Sequence, residues 1–378
     1  MILTCTGVMR FLRMPLDLKR GVKKVASEPV FRRRFDDLPP ARTHVGLRKL
    51  NTELLSSGPF GYVDVEGLDL VPVDIDVSPL DHSGSSKEGV SYTYKGHDGY
   101  APIFAYVGTQ GHMLECELRP GKQHCQSGTT AFIARSVETL QTLGLGGKCL
   151  LRLDSGNAAA DNFDAFGDHY LIVKRNPRRE CPEQMLALAR RVGDKQDSRE
   201  GKNVYTGFFD HFHPGGDQNR PCVPVAFEVI ERTIDIDGQK LLVPKLEVNT
   251  WWTDLSCRAK TVLDLYHGHG PSEQYHSELK SDLDVERLPS GRLCANKIIL
   301  LCAMVAFNLL RGLGQEVIKR AGLAPQKINI PRWRIKTVLK NIVYCAVRLV
   351  RHAGRIELHF GKRCRWFEVI QDIAHSFA

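Results

Sequence analysis

A chain of 378 residues is too long for one ordinary core and implies two or three domains. Hydrophobic content of 42% and charged content of 25% are those of a soluble globular protein, not of a disordered or fibrous one. The net charge of +9 is uneven: residues 1–50 carry twelve Lys and Arg against four acids, residues 331–378 carry ten against three, and the middle is left at −6. Basic ends around an acidic middle fit a polyanion-binding protein whose centre also needs carboxylates, although charge of this kind also serves solubility.

Eleven cysteines stand at scattered positions such as Cys5, Cys149, Cys257 and Cys364, with no CxxC pair. An odd, scattered set argues for reduced thiols in a cytoplasmic protein, near the nucleoid if the polyanion is DNA. It argues against a zinc ribbon or a disulfide frame. The opening MILTCTGVMRFLRMPLDLKR lacks a secretory core. The longest apolar run, Ile298 to Leu310, has thirteen residues. That falls short of the roughly 20 needed to cross a bilayer, so it reads as a buried helix with no membrane role.

In chain order, residues 1–60 are basic and helical in pieces, with Pro39-Pro40 as a break. VPVDIDV, residues 71–77, has the period-two pattern of a strand. It puts Val71, Val73, Ile75 and Val77 on one face, and Asp74 and Asp76 on the other. Two strand-like runs follow in residues 90–107, then a strand at 112–121, and Thr129 to Leu143 has helical spacing. CLLRLDSG (149–156) and HYLIVKR (169–175) complete a run of strands and helices that implies an α/β mixed sheet with helices on its faces. The polar stretch from Asn176 to Pro221 reads as one helix (182–192) and a loop. VPVAFEVIERTID and KLLVPKLEVNTWW read as a hairpin or small inserted sheet. Residues 294–312 predict an apolar helix and 333–351 a basic amphipathic one.

Acids on separate elements draw attention to chemistry. Asp74 and Asp76 share the polar face of one strand, Asp154 ends another, and Glu273 opens a helix whose first residue is Pro271. Acids converging from distant stretches can hold two divalent cations about 3.5–4 Å apart for displacement at phosphorus. Carboxylates suit Mg²⁺, which prefers hard oxygen ligands. Tyr266, His269, Glu273 and Lys280 read Tyr-x2-His-x3-Glu-x6-Lys. Glu273 and Lys280, seven apart, share a helix face. Lys280 could contact a phosphate as a point charge. Each residue has a plainer explanation: a turn or ion pair for Asp154, a favourable helix dipole for Glu273.

Taken in order, Asp, Asp-Ser-Gly and Tyr-x2-His-x3-Glu-x6-Lys resemble the DDE transposases of bacterial insertion sequences. The closer resemblance is to the branch with a Tyr-x2-Arg-x3-Glu-x6-Lys signature, and within it to the thirteen-eighty insertion-sequence family. The supporting stretches are VDIDVSPLDHSGSSKEGVSYTYKGHDGYAPIFAYVG, LRLDSGNAAADNF, YHGHGPSEQYHSELKSDLDVERLPSG and ANKIILLCAMVAFNLLR. The resemblance covers about residues 60–320.

It implies a ribonuclease-H-like catalytic core with catalytic, metal-holding Asp76 (or Asp74), Asp154 and Glu273. It implies two Mg²⁺ ions, replaceable by Mn²⁺, and a homodimer that pairs the terminal inverted repeats with target DNA. Tyr266 and Lys280 match the signature, whereas His269 stands where Arg is expected. The divisions implied are a shortened basic DNA-binding region (1–65), the first part of the core (66–175), a β-rich insertion (176–254), the helical second part (255–320) and a basic helical region (321–378). In related enzymes the insertion carries a Trp that stacks on an unpaired base, which makes Trp252 or Trp251 the candidate, against a plain packing role. Arg348, Arg351 and Arg355, spaced three and four apart, form a phosphate-facing stripe or a solvated face. About 70 residues precede the first acid, fewer than the resemblance implies, so the second reading is a truncated, inactive copy that only binds DNA. A two-carboxylate glycosidase explains neither the basic ends nor Lys280.

Overall fold

The computed structural model describes residues 28–176, 181–196, 198–211, 222–235, 237–352 and 355–377. The sheet opens with β1 (Val63–Val65) turning back onto β2 (Leu68–Val77). β3 (Leu80–Asp81), β4 (Ser91–Tyr92) and β5 (Asp98–Tyr100) form a small sheet of their own. β6 (Ile103–Val107) and β7 (His112–Glu117) make a hairpin beside β2. The helix Thr129–Thr142 leads to β8 (Cys149–Leu153), and the short helix Ala160–Asp164 leads to β9 (Tyr170–Arg175). The resulting order is β7-β6-β2-β8-β9, with β2, β8 and β9 parallel and β6 antiparallel to its neighbours. This is the mixed sheet flanked by helices that the sequence implied.

The period-two pattern of β2 decides what lies on each face. Val71, Val73, Ile75 and Val77 pack with Phe132, Ile133, Val137 and Leu140 of the helix Thr129–Thr142. On the opposite face, Phe104, Tyr106 and Met113 pack with Tyr275, Leu279 and the long helix Leu293–Lys319. That helix is long and apolar enough to span a bilayer by length and composition, but two-thirds of its most apolar window is buried inside the fold. The helices Glu28–Asp36 and Pro40–Leu55 break at Pro39-Pro40 as expected. The second lies on the core, burying Asn51 and Leu55 and pairing Arg48 with Glu115 at 2.7 Å. Residues 1–27, which hold much of the basic N-terminal charge, lie outside the described residues.

The helix Pro182–Val192 falls where expected, but the following stretch is not a loop. It contains β10 (Asp194–Gln196) and β11 (Lys202–His211), which join β12 (Val223–Ile234) and β13 (Lys240–Thr253). Nor is the insertion a separate sheet. Thr250–Thr253 of β13 pair antiparallel with Arg175–Ile172 of β9, so hydrogen bonds run on from the core into the insertion. Polar neighbours obscured β11, whose alternation buries Val204 and Thr206.

The basic helix expected at 333–351 is also corrected. One short turn of helix, Ile335–Val338, passes into a π-turn, Leu339–Val343. A hairpin follows, made of β14 (Val347–His352) and β15 (Arg355–Phe360). Val347, Val350 and Ile356 favour a strand over a helix once a partner strand is present.

His82 is buried at 7% exposure against the ring of Tyr100, and its Nε2 has no hydrogen-bond partner among the described residues. Burial, then the Lys87 charge, holds its pKa down at about 4. The unfolded chain, with His near 6.5, therefore binds the proton first as pH falls. We expect stability to drop between pH 6.5 and 4, and His82→Phe to drop less over that window. Urea midpoints at several pH values would check this.

Candidate active site

Asp74 pairs with Arg152, and Ile75 with Leu153, across the parallel strands β2 and β8. Asp154 continues β8 in extended conformation. The next step of that register sets Asp76 beside Asp154, one strand spacing apart, on the order of 5 Å between backbones. Both acids lie one residue beyond the last pair between β2 and β8, where β8 gives way to the turn Ser155–Asn157, while Asp76 stays paired with Phe104 of β6.

Asp74 is already committed. It is 5% exposed, and both its oxygens are bonded by Arg152, at 2.6 and 2.9 Å. Burial would raise its pKa, but the Arg152 charge and the His269 contact outweigh that and hold it low. Asp76 is more open. His276 Nε2 lies 3.2 Å from its Oδ2, as His269 Nδ1 lies 2.9 Å from Asp74 Oδ1. Neither imidazole contact is aligned as a hydrogen bond. Burial again opposes, and the His276 contact again wins, leaving Asp76 below its usual range.

Asp154 goes the other way: burial, then repulsion from Asp76, raises its pKa, while Asn157 Nδ2 donates to its Oδ1 at 2.7 Å. Two close carboxylates, one of them strained toward protonation, form a site that a cation would relieve.

Opposite them runs the helix Pro271–Ser277, extended by the π-turn Glu278–Asp282. The preceding glycines, Gly268 and Gly270, already have helical backbone angles. His269, Glu273, His276 and Lys280 therefore fall on one face, four, three and four residues apart. Three of the four touch the end of β2: His269 at Asp74, His276 at Asp76, and Lys280, whose Nζ donates to Pro79 O at 2.7 Å. Burial lowers the Lys280 pKa. Glu273 lies between these contacts, exposed, with no side-chain partner among the described residues. Among those residues no group of three or more His, Cys, Asp or Glu is close enough to hold an ion. Tyr266 ends the helix Ala259–His267 and stacks on His269, with ring centroids 6.0 Å apart.

Tyr275 fixes the helix to the sheet. Its hydroxyl donates to Thr109 O at 3.1 Å, and its ring covers Gly111, which has φ +68. A Cβ at Gly111 would lie 2.1 Å from Tyr275 Cζ. We expect Gly111→Ala to lower stability by more than the ~1–2 kcal/mol of left-handed backbone alone, because the ring and its helix must also shift. Chemical denaturation would read the difference.

Other expected site residues lie elsewhere. Trp252, 5% exposed, does not offer a face to a base: it packs in the core at right angles to Phe163 and His211, under Arg175. Trp251 is 1% exposed, against Tyr266 and His267. The strand-end packing role therefore describes both. Arg348, Arg351 and Arg355 sit on the β14–β15 hairpin, where spacings of three and four do not define a face. Sequence reasoning missed Arg152, His276, Asn157 and Tyr94. The Tyr94 hydroxyl donates to Val77 O at 2.9 Å beside the acids. A signal existed for His276, seven after His269 and three after Glu273, and for Arg152, two before Asp154 on its strand.

No curated protein matches the chain. A cryo-EM structure of piggyBac transposase in a synaptic complex with hairpin DNA is similar at 13% identity and a TM-score of 0.39. The similarity covers 71% of this chain and 51% of that one, so the chain spans about half the transposase's length. Endonuclease V of Ciona intestinalis, bound to an inosine-containing DNA, is similar at 12% identity and a TM-score of 0.22, over 60% of this chain and 87% of that one. Neither likeness is strong enough to argue from. The family match is more specific. Over residues 10–173, the stretch that carries Asp74, Asp76 and Asp154 and ends before Glu273, the chain is similar to the family described as transposase DDE domain group 1.

Proposed function

We propose that the protein is a DDE transposase of an insertion sequence. On this reading it binds the terminal inverted repeats, pairs two ends as a homodimer, and cuts and rejoins DNA with divalent metal. Asp76, Asp154 and Glu273 are its acids. The observation that carries the reading is the position of Asp76 and Asp154, each one residue past the last β2–β8 pair, Ile75–Leu153, where the charge of Asp76 reaches Asp154. The family match over residues 10–173 supports the same reaction class.

The donors fit Mg²⁺, since hard carboxylate oxygens with open positions for water are what that ion takes. When bound, the ions would neutralise charge on the phosphate and activate the attacking hydroxyl. The chain's own residues do the rest. His276 steadies Asp76, and Asn157 orients Asp154. The Arg152–Asp74 pair, with Arg152 Nη1 donating to Leu265 O at 2.7 Å, ties the acid strands to the helix that carries Tyr266. Lys280 contributes fixed positive charge at the end of β2, where a DNA phosphate would approach.

A second reading, DNA binding without chemistry, draws on Glu273 standing apart from the other acids. Purified protein and duplexes bearing the flanking inverted repeats separate the two. Strand cutting and joining that require Mg²⁺ or Mn²⁺ support the transposase. Binding with a steep salt slope and no cutting under either ion would sink it and leave the DNA-binding protein.

A further inference from the structure

The helix that carries Glu273 has two working faces. His269, His276 and Lys280 hold its front to the acid strand. Its rear carries Gln274, Glu278 and Asp282, each four residues from the next. Glu278 and Asp282 are 1% and 5% exposed, so neither acid faces solvent or the front groove. Both are bonded by one segment, Arg332–Lys336, more than fifty residues further along the chain. Arg332 bonds Glu278 Oε1 and donates to Gln274 Oε1 at 2.8 Å. Ile335 N donates to Glu278 Oε2 at 2.9 Å. Arg334 grips both oxygens of Asp282, at 2.9 and 3.1 Å, and reaches Ser277 Oγ at 3.1 Å. Lys336 N adds a third bond to Asp282, at 3.0 Å.

The segment is itself anchored. Trp333 is 3% exposed and packs edge-on to Trp366, in a small core with Val317, Val338, Val369 and Ile373. Arg311 of the long helix links the parts, donating to Glu278 Oε2 at 3.1 Å and to Trp333 O at 2.9 Å.

We propose that Arg332–Lys336 is a positioning strap, which sets the place of Glu273 by holding its helix from behind. This rests on Glu273 being the third metal-holding acid. Glu273 has no side-chain bond of its own to fix it, so its position depends on what clamps the helix on either side. The front contacts fix the ends of the face, at His269 and His276, and the strap fixes the rear between and beyond them. Arg332 and Arg334 touch no reacting atom and act only through the helix.

The test is Mn²⁺ binding to the full chain, followed by the loss of the free-ion paramagnetic resonance signal, with DNA cutting as a second readout. We expect Arg334→Gln to weaken Mn²⁺ binding by about 10-fold, the lower end of what loss of a residue supporting a metal ligand costs. Arg334→Lys, which keeps the charge but not the two-pronged grip, should recover part of it. The deciding variant is Glu273→Gln with Arg334→Gln: if the strap works through Glu273, the pair binds no more weakly than Glu273→Gln alone. Arg334→Gln binding like wild type, or losses that multiply in the pair, would overturn the strap while leaving the transposase standing. Glu273→Gln that binds Mn²⁺ and cuts DNA like wild type would sink the third-acid assignment, and the strap with it. Arg332→Gln probes the other end of the strap, so a folding defect in one variant leaves the other to decide.

Discussion

If the protein is the proposed transposase, Asp154→Asn and Asp76→Asn are each expected to slow DNA cutting by about 10³-fold, ~4 kcal/mol of barrier, and to leave DNA binding close to wild type. Asp154 is held above its ordinary pKa by burial and by Asp76, so its charge works against the fold. Asp154→Asn removes that repulsion and should melt at or above the wild-type temperature while losing activity. Asp76→Asn differs, because Asp76 is held low by His276 and its charge works for the fold. It should melt lower. Cutting assays and thermal melts on both variants read the contrast. An Asp154→Asn protein that cuts at the wild-type rate would remove the acid from the mechanism. One that melts well below wild type would mean its carboxylate is structural.

Arg152→Ala destabilises the protein by about 3–5 kcal/mol, the usual loss when one member of a buried pair is removed. Arg152 is 3% exposed, and its guanidinium satisfies both oxygens of Asp74 and the Leu265 carbonyl. Without it, Asp74 keeps only the poorly aligned His269. Replacing both partners, Asp74→Leu with Arg152→Met, removes the stranded charge, and most of the stability should return. Urea unfolding of the two proteins measures this. A loss under about 1 kcal/mol for the single change would show that water reaches Asp74 and that the pair is not buried in solution.

Much of this arrangement could be read from residues alone, because the signals were local. Period-two alternation marked the face of Asp74 and Asp76, and a proline at the first helical position marked where Glu273 begins. The choice between Asp74 and Asp76 was not legible. It depends on Arg152, which lies 78 residues away in sequence and meets Asp74 only because β2 and β8 pair in parallel. The choice for Trp252 between stacking on a base and packing was not legible for a similar reason: packing shows only when Phe163, His211 and Arg175 close over it. The basic C-terminal stretch failed differently, since the spacing of Val347, Leu349 and Val350 fits a helix as well as a strand, and only pairing with β15 decides.

The unbroken run of paired strands from β10 to β7 makes strands β10–β13 and the strands that bear Asp76 and Asp154 one cooperative object. An inserted module joined by loops could swing freely over its substrate, but this one can tilt only by twisting the ladder that also bears Asp154. Amide protons of β12, β9 and β8 should therefore exchange together, through a shared opening event, rather than the outer ribbon fraying first.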